Sequence, residues 1–164
     1  MITEEYRKMN EALHSSRPTY GASGKRWAHK VMTIGYRDVL DYGCGKGTLA
    51  KSLPFKINEY DPAVPGKETL PKPAEFVVCT DVLEHIEPEQ IDSVLHHLRT
   101  LTLEKGLFVI ATREAHKVLP DGRNAHLIIQ PFEWWKEKLQ LAGFEIEEVE
   151  EDASQDGEFM VIVR

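Results

Sequence analysis

Apolar and polar positions fall into two kinds of block along this chain. Residues 38–43 ("DVLDYG"), 75–82 ("EFVVCTDV") and 106–112 ("GLFVIAT") are short and largely apolar, as strands covered on both faces are. Residues 55–61 ("FKINEYD") predict a further strand. Between them lie helical patterns: residues 3–14, residues 24–35 ("GKRWAHKVMTIG", with Trp27, Val31 and Ile34 at helical spacing), residues 46–53 ("KGTLAKSL") and residues 88–102 ("PEQIDSVLHHLRTLT"). The last opens with Pro88 in its first turn and acidic residues nearby, which suits a helix N-terminus. Residues 131–143 ("PFEWWKEKLQLAG") predict a helix ending at Gly143. Residues 144–151 and 157–164 predict a closing antiparallel pair joined by "DASQDG". Residues 15–24 ("SSRPTYGASG") and 62–74 ("PAVPGKETLPKPA") are rich in turn formers and are expected to be loops, the first of them mobile. Strands alternating with helices predict an α/β fold, with a mostly parallel sheet, helices on both faces and an antiparallel C-terminal strand pair.

Length and composition narrow the picture. At 164 residues the chain suits one domain: residues 1–36 as an N-terminal helical cap or lid, residues 37–164 as the core. No apolar run has membrane-spanning length, and the charged start "MITEEYRKMNEAL" is unlike a signal peptide. The two cysteines, Cys44 and Cys79, are too few for a disulfide framework and form no CxxC pair, so a reducing cytoplasm is expected. The net charge of −7 argues against coating long stretches of nucleic acid, although the first 37 residues are locally basic.

The chemistry begins at Gly43, Gly45 and Gly47, which follow a predicted strand and precede a predicted helix. Glycine there allows a sharp turn and close approach of a ligand to the backbone. The spacing is GxGxG, neither the GxGxxG of a dinucleotide fingerprint nor a Walker loop. Asp41 precedes it, and Asp61 follows twenty residues later at the end of the second strand, where a carboxylate can hold both hydroxyls of a ribose.

With these residues in place, the chain resembles the class I, Rossmann-like methyltransferases that depend on S-adenosylmethionine (SAM). "VLDYGCGKG" resembles that family's first motif, "NEYDP" its second, and "FVVCTDVLEHIEPE" the fourth-strand segment of its small-molecule branch; the likeness spans roughly residues 37–150. It implies SAM as cofactor and S-adenosyl-L-homocysteine as product. Asp41, Gly43, Cys44, Gly45 and Gly47 would hold the amino acid end, and Asp61 with Pro62 the ribose. Asp81, Val82 and Leu83 would border the cofactor, and Glu84 and His85 would face the acceptor. One departure stands out. The family places a helix, a strand and a helix between Asp61 and Phe76, whereas here some fifteen proline-rich residues span the gap. The third-strand region is therefore expected to be shortened or missing, the second strand to form a sheet edge, and adenine to rely on Glu68 or the backbone near Leu70.

Methyl transfer needs alignment of a nucleophile behind the methyl group and, for a hydroxyl or ammonium acceptor, a base. His126 and His85 are the candidates, each of which could instead brace its own turn. Arg113, Arg123 and Asn124 supply polar groups for an acceptor. One of Trp134 and Trp135 is expected in the core and the other against the pocket or the N-terminal helices. Tyr20 with "YGASG" reads equally as lid or connector. His96 and His97 read as exposed surface, and "EIEEVEED" as the solvated face of an edge strand, so no metal is expected.

For the acceptor, the tetrapeptide used on exocyclic amines of DNA bases is replaced by "TDVLEH", and neither cysteine is placed for 5-methylcytosine chemistry, which argues against duplex DNA. The reading is O- or N-methylation of a small polar molecule (sugar, nucleotide or metabolite). "LPDGRNAHLIIQPFEWW" together with "DVLEHIEP" also resembles compact methyltransferases of bacteria and their phages. An RNA or modified-nucleoside methyltransferase is the first alternative; a SAM-binding partner protein without transferase activity is the second. A monomer or homodimer with no membrane partner is expected.

Overall fold

The computed structural model describes residues 2–17, 19–151 and 157–164. Six strands form one sheet: β1 (Val39–Tyr42), β2 (Asn58–Tyr60), β3 (Ala74–Thr80), β4 (Thr102–Ala111), β5 (Ile146–Glu151) and β6 (Glu158–Val163). Their order is β2-β1-β3-β4-β6-β5. Pairing is parallel from β2 through β4 and antiparallel where β6 meets β4 and β5. This is the Rossmann-like α/β arrangement with an antiparallel C-terminal pair. The turn read at "DASQDG" lies almost wholly outside the described residues.

Strand alternation builds two cores. Val39, Phe76, Val78, Leu107, Val109, Met160 and Ile162 pack on one face against α2 (Ala28–Ile34) and α3 (Thr48–Ser52), through Val31, Leu49 and Leu53. Leu40, Val77, Cys79, Phe108, Ile110, Val161 and Val163 turn to the other face. There they meet Leu95 and Leu98 of α4 (Ile91–Leu101) and Trp135 and Leu139 of α5 (Phe132–Leu141). Each strand residue changes face with its neighbour, as a period of two demands, and burial of each large side chain contributes roughly 1.5–3 kcal/mol. Trp135 is fully buried, while Trp134 packs at the margin of the same core under Lys138.

The third-strand unit is missing: β2 is the outer strand, and residues 61–73 run back to β3 without a helix or strand. At the opposite edge β5 carries its glutamates outward, and Lys30 bridges Glu148 and Glu150 at 2.7 and 2.8 Å. Several boundaries differ from the sequence reading. Residues Gly24–Trp27 and Pro88–Gln90 form 3-10 turns ahead of α2 and α4. β4 starts four residues before Gly106, because Thr102–Lys105 already pair with β3 and β5's glutamate Glu147 holds Lys105. His97 is not free surface; its Nδ1 meets the Tyr42 hydroxyl at 3.0 Å.

Helix α1 (Glu4–Ser16) crosses above the carboxyl ends of β1 and β3. Thr3 caps it through Tyr6 N, and Glu87 accepts hydrogen bonds from the Thr3 amide and hydroxyl at 2.7 Å each. Tyr6, Leu13 and Tyr20 close a small third core with Leu119. No helix among the described residues is long and apolar enough to cross a membrane.

Candidate functional site

A cavity of about 370 Å³ opens at the carboxyl ends of β1, β2, β3 and β4, beneath α1. That is the position where open α/β sheets bind ligands, and the volume lies within the range of small-molecule sites. Its floor comes from Asp41, Gly43, Cys44, Asp61, Pro62, Asp81 and Val82; its far wall holds His85, Arg113 and His126; and Tyr20 closes it from above.

The glycine loop is fixed by its neighbours. Gly43 and Cys44 donate their amides to Tyr60 O at 2.7 and 3.1 Å, and Lys46 N donates to Gly21 O at 2.9 Å. Gly45 has φ +49°, and a Cβ placed on it would stand 2.6 Å from Gly21 O and 2.8 Å from Gly21 Cα. The backbones of "YGASG" and the loop thus lie directly on one another, and only glycine allows it. The segment read as a mobile polar loop places Tyr20 at 7% exposure, because ring contacts with His14 and His85 replace solvent.

Asp61 is buried and accepts Gly45 N and Ala63 N at 2.9 Å each, so it ties the loop to the end of β2. A carboxylate offers about four lone-pair sites, which leaves capacity for two ligand hydroxyls. His14 Nε2 stands 4.0 Å away. Asp41 is buried at 3% exposure, and its carboxyl is pushed up to about 7, first by burial and then by the nearby Glu59 charge. The fold therefore retains a proton that an unfolded aspartate loses near pH 4. That contribution to stability is complete below about pH 4 and lost as pH rises through 7. Replacing Asp41 by Asn should therefore stabilise the chain progressively from pH 4 to pH 8, by up to roughly 2–4 kcal/mol. Denaturant unfolding of both proteins at pH 5 and pH 8 checks this; a difference that does not change with pH would contradict it.

At the far wall of the cavity the two histidines are oriented alike. His85 Nδ1 lies 2.7 Å from Ala125 O, and His126 Nδ1 lies 2.6 Å from Arg113 O. A carbonyl can only accept, so both Nδ1 atoms carry the proton. Burial holds both rings neutral, His85 down to about 3 with His126 adding to the effect, so each Nε2 keeps its lone pair. Their ring centroids are 4.7 Å apart, edge to face. Asp81, beside them, has φ +54°, a conformation rarely adopted outside glycine and found where a site over-determines its backbone.

The sequence candidates divide accordingly. Asp41, Gly43, Cys44, Asp61, Pro62, Asp81, Val82, His85, Arg113, His126 and Tyr20 meet around the cavity. Gly45, Gly47 and Leu83 lie in the supporting layer: Gly47 packs against Glu59 and Lys67, and Leu83 is in the core. Glu84 is fully buried behind the wall, with Oε1 accepting Ala111 N at 3.1 Å. Asn124 stitches the 113–126 loop by exchanging hydrogen bonds with Ala115, while Arg123 is exposed and paired with Asp121 at 2.7 Å. Trp134 sits on α5, away from the cavity. Glu68 and Leu70 are exposed and outside it. Sequence reasoning missed Tyr6, Asn10 and His14, which line the roof. Their spacing of four places them on one face of α1, and that was the available signal. Tyr6 and Asn10 form a relay between Tyr20 and His85: Tyr20 OH donates to Asn10 Oδ1 at 2.6 Å, Asn10 Nδ2 to Tyr6 O at 3.1 Å, and Tyr6 OH to His85 O.

Sheet order, glycine loop and cavity together define a Rossmann-like α/β protein with a ligand-sized cavity at the carboxyl edge of its sheet. The chain belongs to the methyltransferase-domain family, whose family model matches residues 7–149. No curated protein sequence matches it. Solved structures share its fold at low identity. DhpI, in complex with SAH, is 16% identical with a TM-score of 0.64, over 98% of this chain and 93% of that one. The 1,6-didemethyltoxoflavin-N1-methyltransferase of Burkholderia thailandensis, with bound 1,6-didemethyltoxoflavin and S-adenosylhomocysteine, is 15% identical with a TM-score of 0.68, over 97% of this chain and 88% of that one. The magnesium protoporphyrin IX methyltransferase of Synechocystis PCC 6803, with SAH, is 16% identical with a TM-score of 0.62, over 88% and 82%.

Proposed function

We propose that this chain is a SAM-dependent methyltransferase acting on an O or N atom of a small polar acceptor. The observation that carries the reading is one cavity with a buried ribose-type carboxylate, Asp61, at one end and two imidazole lone pairs at the other. The residues present fit SAM. Three acidic side chains, Asp41, Asp61 and Asp81, border the cavity, and their oxygens suit a ligand with ammonium, sulfonium and hydroxyl groups; an ammonium beside Asp41 favours its charged form. When bound, SAM supplies a methyl on a positively charged sulfur: the acceptor lone pair forms the new bond to carbon as the carbon–sulfur bond breaks, giving S-adenosylhomocysteine, and the acceptor's proton is released.

The chain's own residues then have separate tasks. Asp61 grips the ribose and holds the loop; Asp41 and the Gly43–Cys44 backbone seat the amino acid end; α1 and Tyr20, within a cap of residues 1–36, exclude water. His126, fixed through Nδ1, turns its Nε2 lone pair to the acceptor, and His85 supports it. Arg7, Arg26 and Lys30 are each ion-paired within the chain, which favours a small acceptor over a nucleic acid backbone.

Methyl-labelled SAM incubated with fractionated extract and with panels of sugars, nucleotides and phenols should label one acceptor class. SAM binding without labelling of any acceptor would instead support a binding protein. The variant His126→Ala is expected to lose 10²–10⁴-fold in turnover while SAM affinity changes by less than about threefold. Unaltered turnover would remove His126 from the reaction.

A further inference from the structure

Behind the acceptor wall, one carboxylate oxygen of Glu84 and one ring nitrogen each of His85 and His126 lie within 4.8 Å of one another. We propose that these three side chains bind a single divalent transition-metal ion, whose open coordination positions face the acceptor. The inference deepens the methyl-transfer reading and rests on it for the acceptor's identity. In the metal-bound protein the two Nε2 lone pairs are donated to the ion, and His126 then acts on the acceptor through the metal, the free-base role belonging to the metal-free protein.

Three independent features converge. Both Nδ1–H groups are already committed to backbone carbonyls, of Ala125 and Arg113, which leaves Nε2 as the coordinating atom on each ring. Metal-ligating histidines are oriented in this way, the second nitrogen donating to a carbonyl or carboxylate. Glu84 is 0% exposed, and its Oε2 has no hydrogen-bond partner among the described residues. Leaving such an oxygen buried and unmatched costs about 1–3 kcal/mol, and a cation beside it removes the cost. Asp81 stands close enough for its charge to act on both Glu84 and His126, and it adds negative potential at the same point. Lys117 and Arg113 are the positive groups on that side, and they oppose the ion.

The donor set selects the metal. Two imidazoles and one or two carboxylates suit Mn²⁺, Fe²⁺, Co²⁺ or Zn²⁺, and three protein ligands leave positions for exogenous oxygens. Ligand bonds of about 2.1 Å place two donors on one ion at most about 4.2 Å apart, a span comparable with the 4.8 Å within which these three groups already lie. An ion here favours an acceptor with a hydroxyl beside a second oxygen, a vicinal diol or catechol, which chelates it. The metal lowers the hydroxyl's pKa and its proton passes to solvent.

The test uses the full chain, stripped with a chelator. Titration with Co²⁺, followed by visible absorption, should saturate at one equivalent, and Mn²⁺ should give an electron paramagnetic spectrum with imidazole nitrogen couplings. His126→Gln and His85→Gln should each weaken Co²⁺ binding at least about 100-fold while SAM affinity, measured calorimetrically on the same samples, stays within about threefold and reports the fold. His96→Ala, an exposed histidine, should leave Co²⁺ binding unchanged. The proposal is overturned if no saturable Co²⁺ spectrum appears, or if it survives both histidine variants. SAM binding without Co²⁺ binding would sink the metal site alone; Co²⁺ binding without SAM binding would sink the methyltransferase reading alone.

Discussion

Asp61→Ala should bind SAM roughly 30- to 1000-fold more weakly than the native chain, with an unchanged far-ultraviolet spectrum. Two contributions add. The carboxylate would lose its charge-assisted hydrogen bonds to the ribose, worth about 1.5–3 kcal/mol each. It would also release Gly45 N and Ala63 N, the two amides that hold the glycine loop against the end of β2. Asp61→Asn separates the two, because an amide oxygen can keep one loop contact while the second acceptor is lost; an intermediate loss is expected. Calorimetry is the measurement, and native affinity in Asp61→Ala would end the assignment of this carboxylate to the ribose.

Gly45→Ala should lower the thermal midpoint by on the order of 10 °C. The added methyl meets backbone, not a movable side chain: Gly21 O at 2.6 Å and Gly21 Cα at 2.8 Å. Forcing it there costs roughly 2–4 kcal/mol, from the left-handed backbone and from overpacking. The damage should centre on the contact between residues 20–24 and the loop, so proteolysis in that segment should accelerate with the loss of stability. An unaltered midpoint would show that the two backbones do not rest on each other.

The parts of the fold that could be read from the sequence were those whose physics is local. β3 and β4 announce themselves because strands covered on both faces must be apolar throughout, and the Gly43–Gly47 loop because its glycines sit between a strand and a helix. The short β2 edge followed from arithmetic, since residues 62–74 cannot hold a helix–strand–helix unit. What stayed hidden depends on tertiary partners. Tyr20 lies in a stretch with a loop's composition and is buried only because α1 and His85 surround it. Tyr6, Asn10 and His14 look like an ordinary polar helix face until the cavity beneath them is known. Glu84 reads as a site-facing acid, yet it is fully buried behind the cavity wall, since only the fold decides which side of a 3-10 turn meets solvent. His97 reads as surface until Tyr42 reaches it.

The chain of contacts from Tyr20 through Asn10 and Tyr6 to His85 has a mechanical corollary. The roof of the cavity and the histidine in its far wall share one linkage, so a substitution that breaks it at Asn10 would be felt at both places at once.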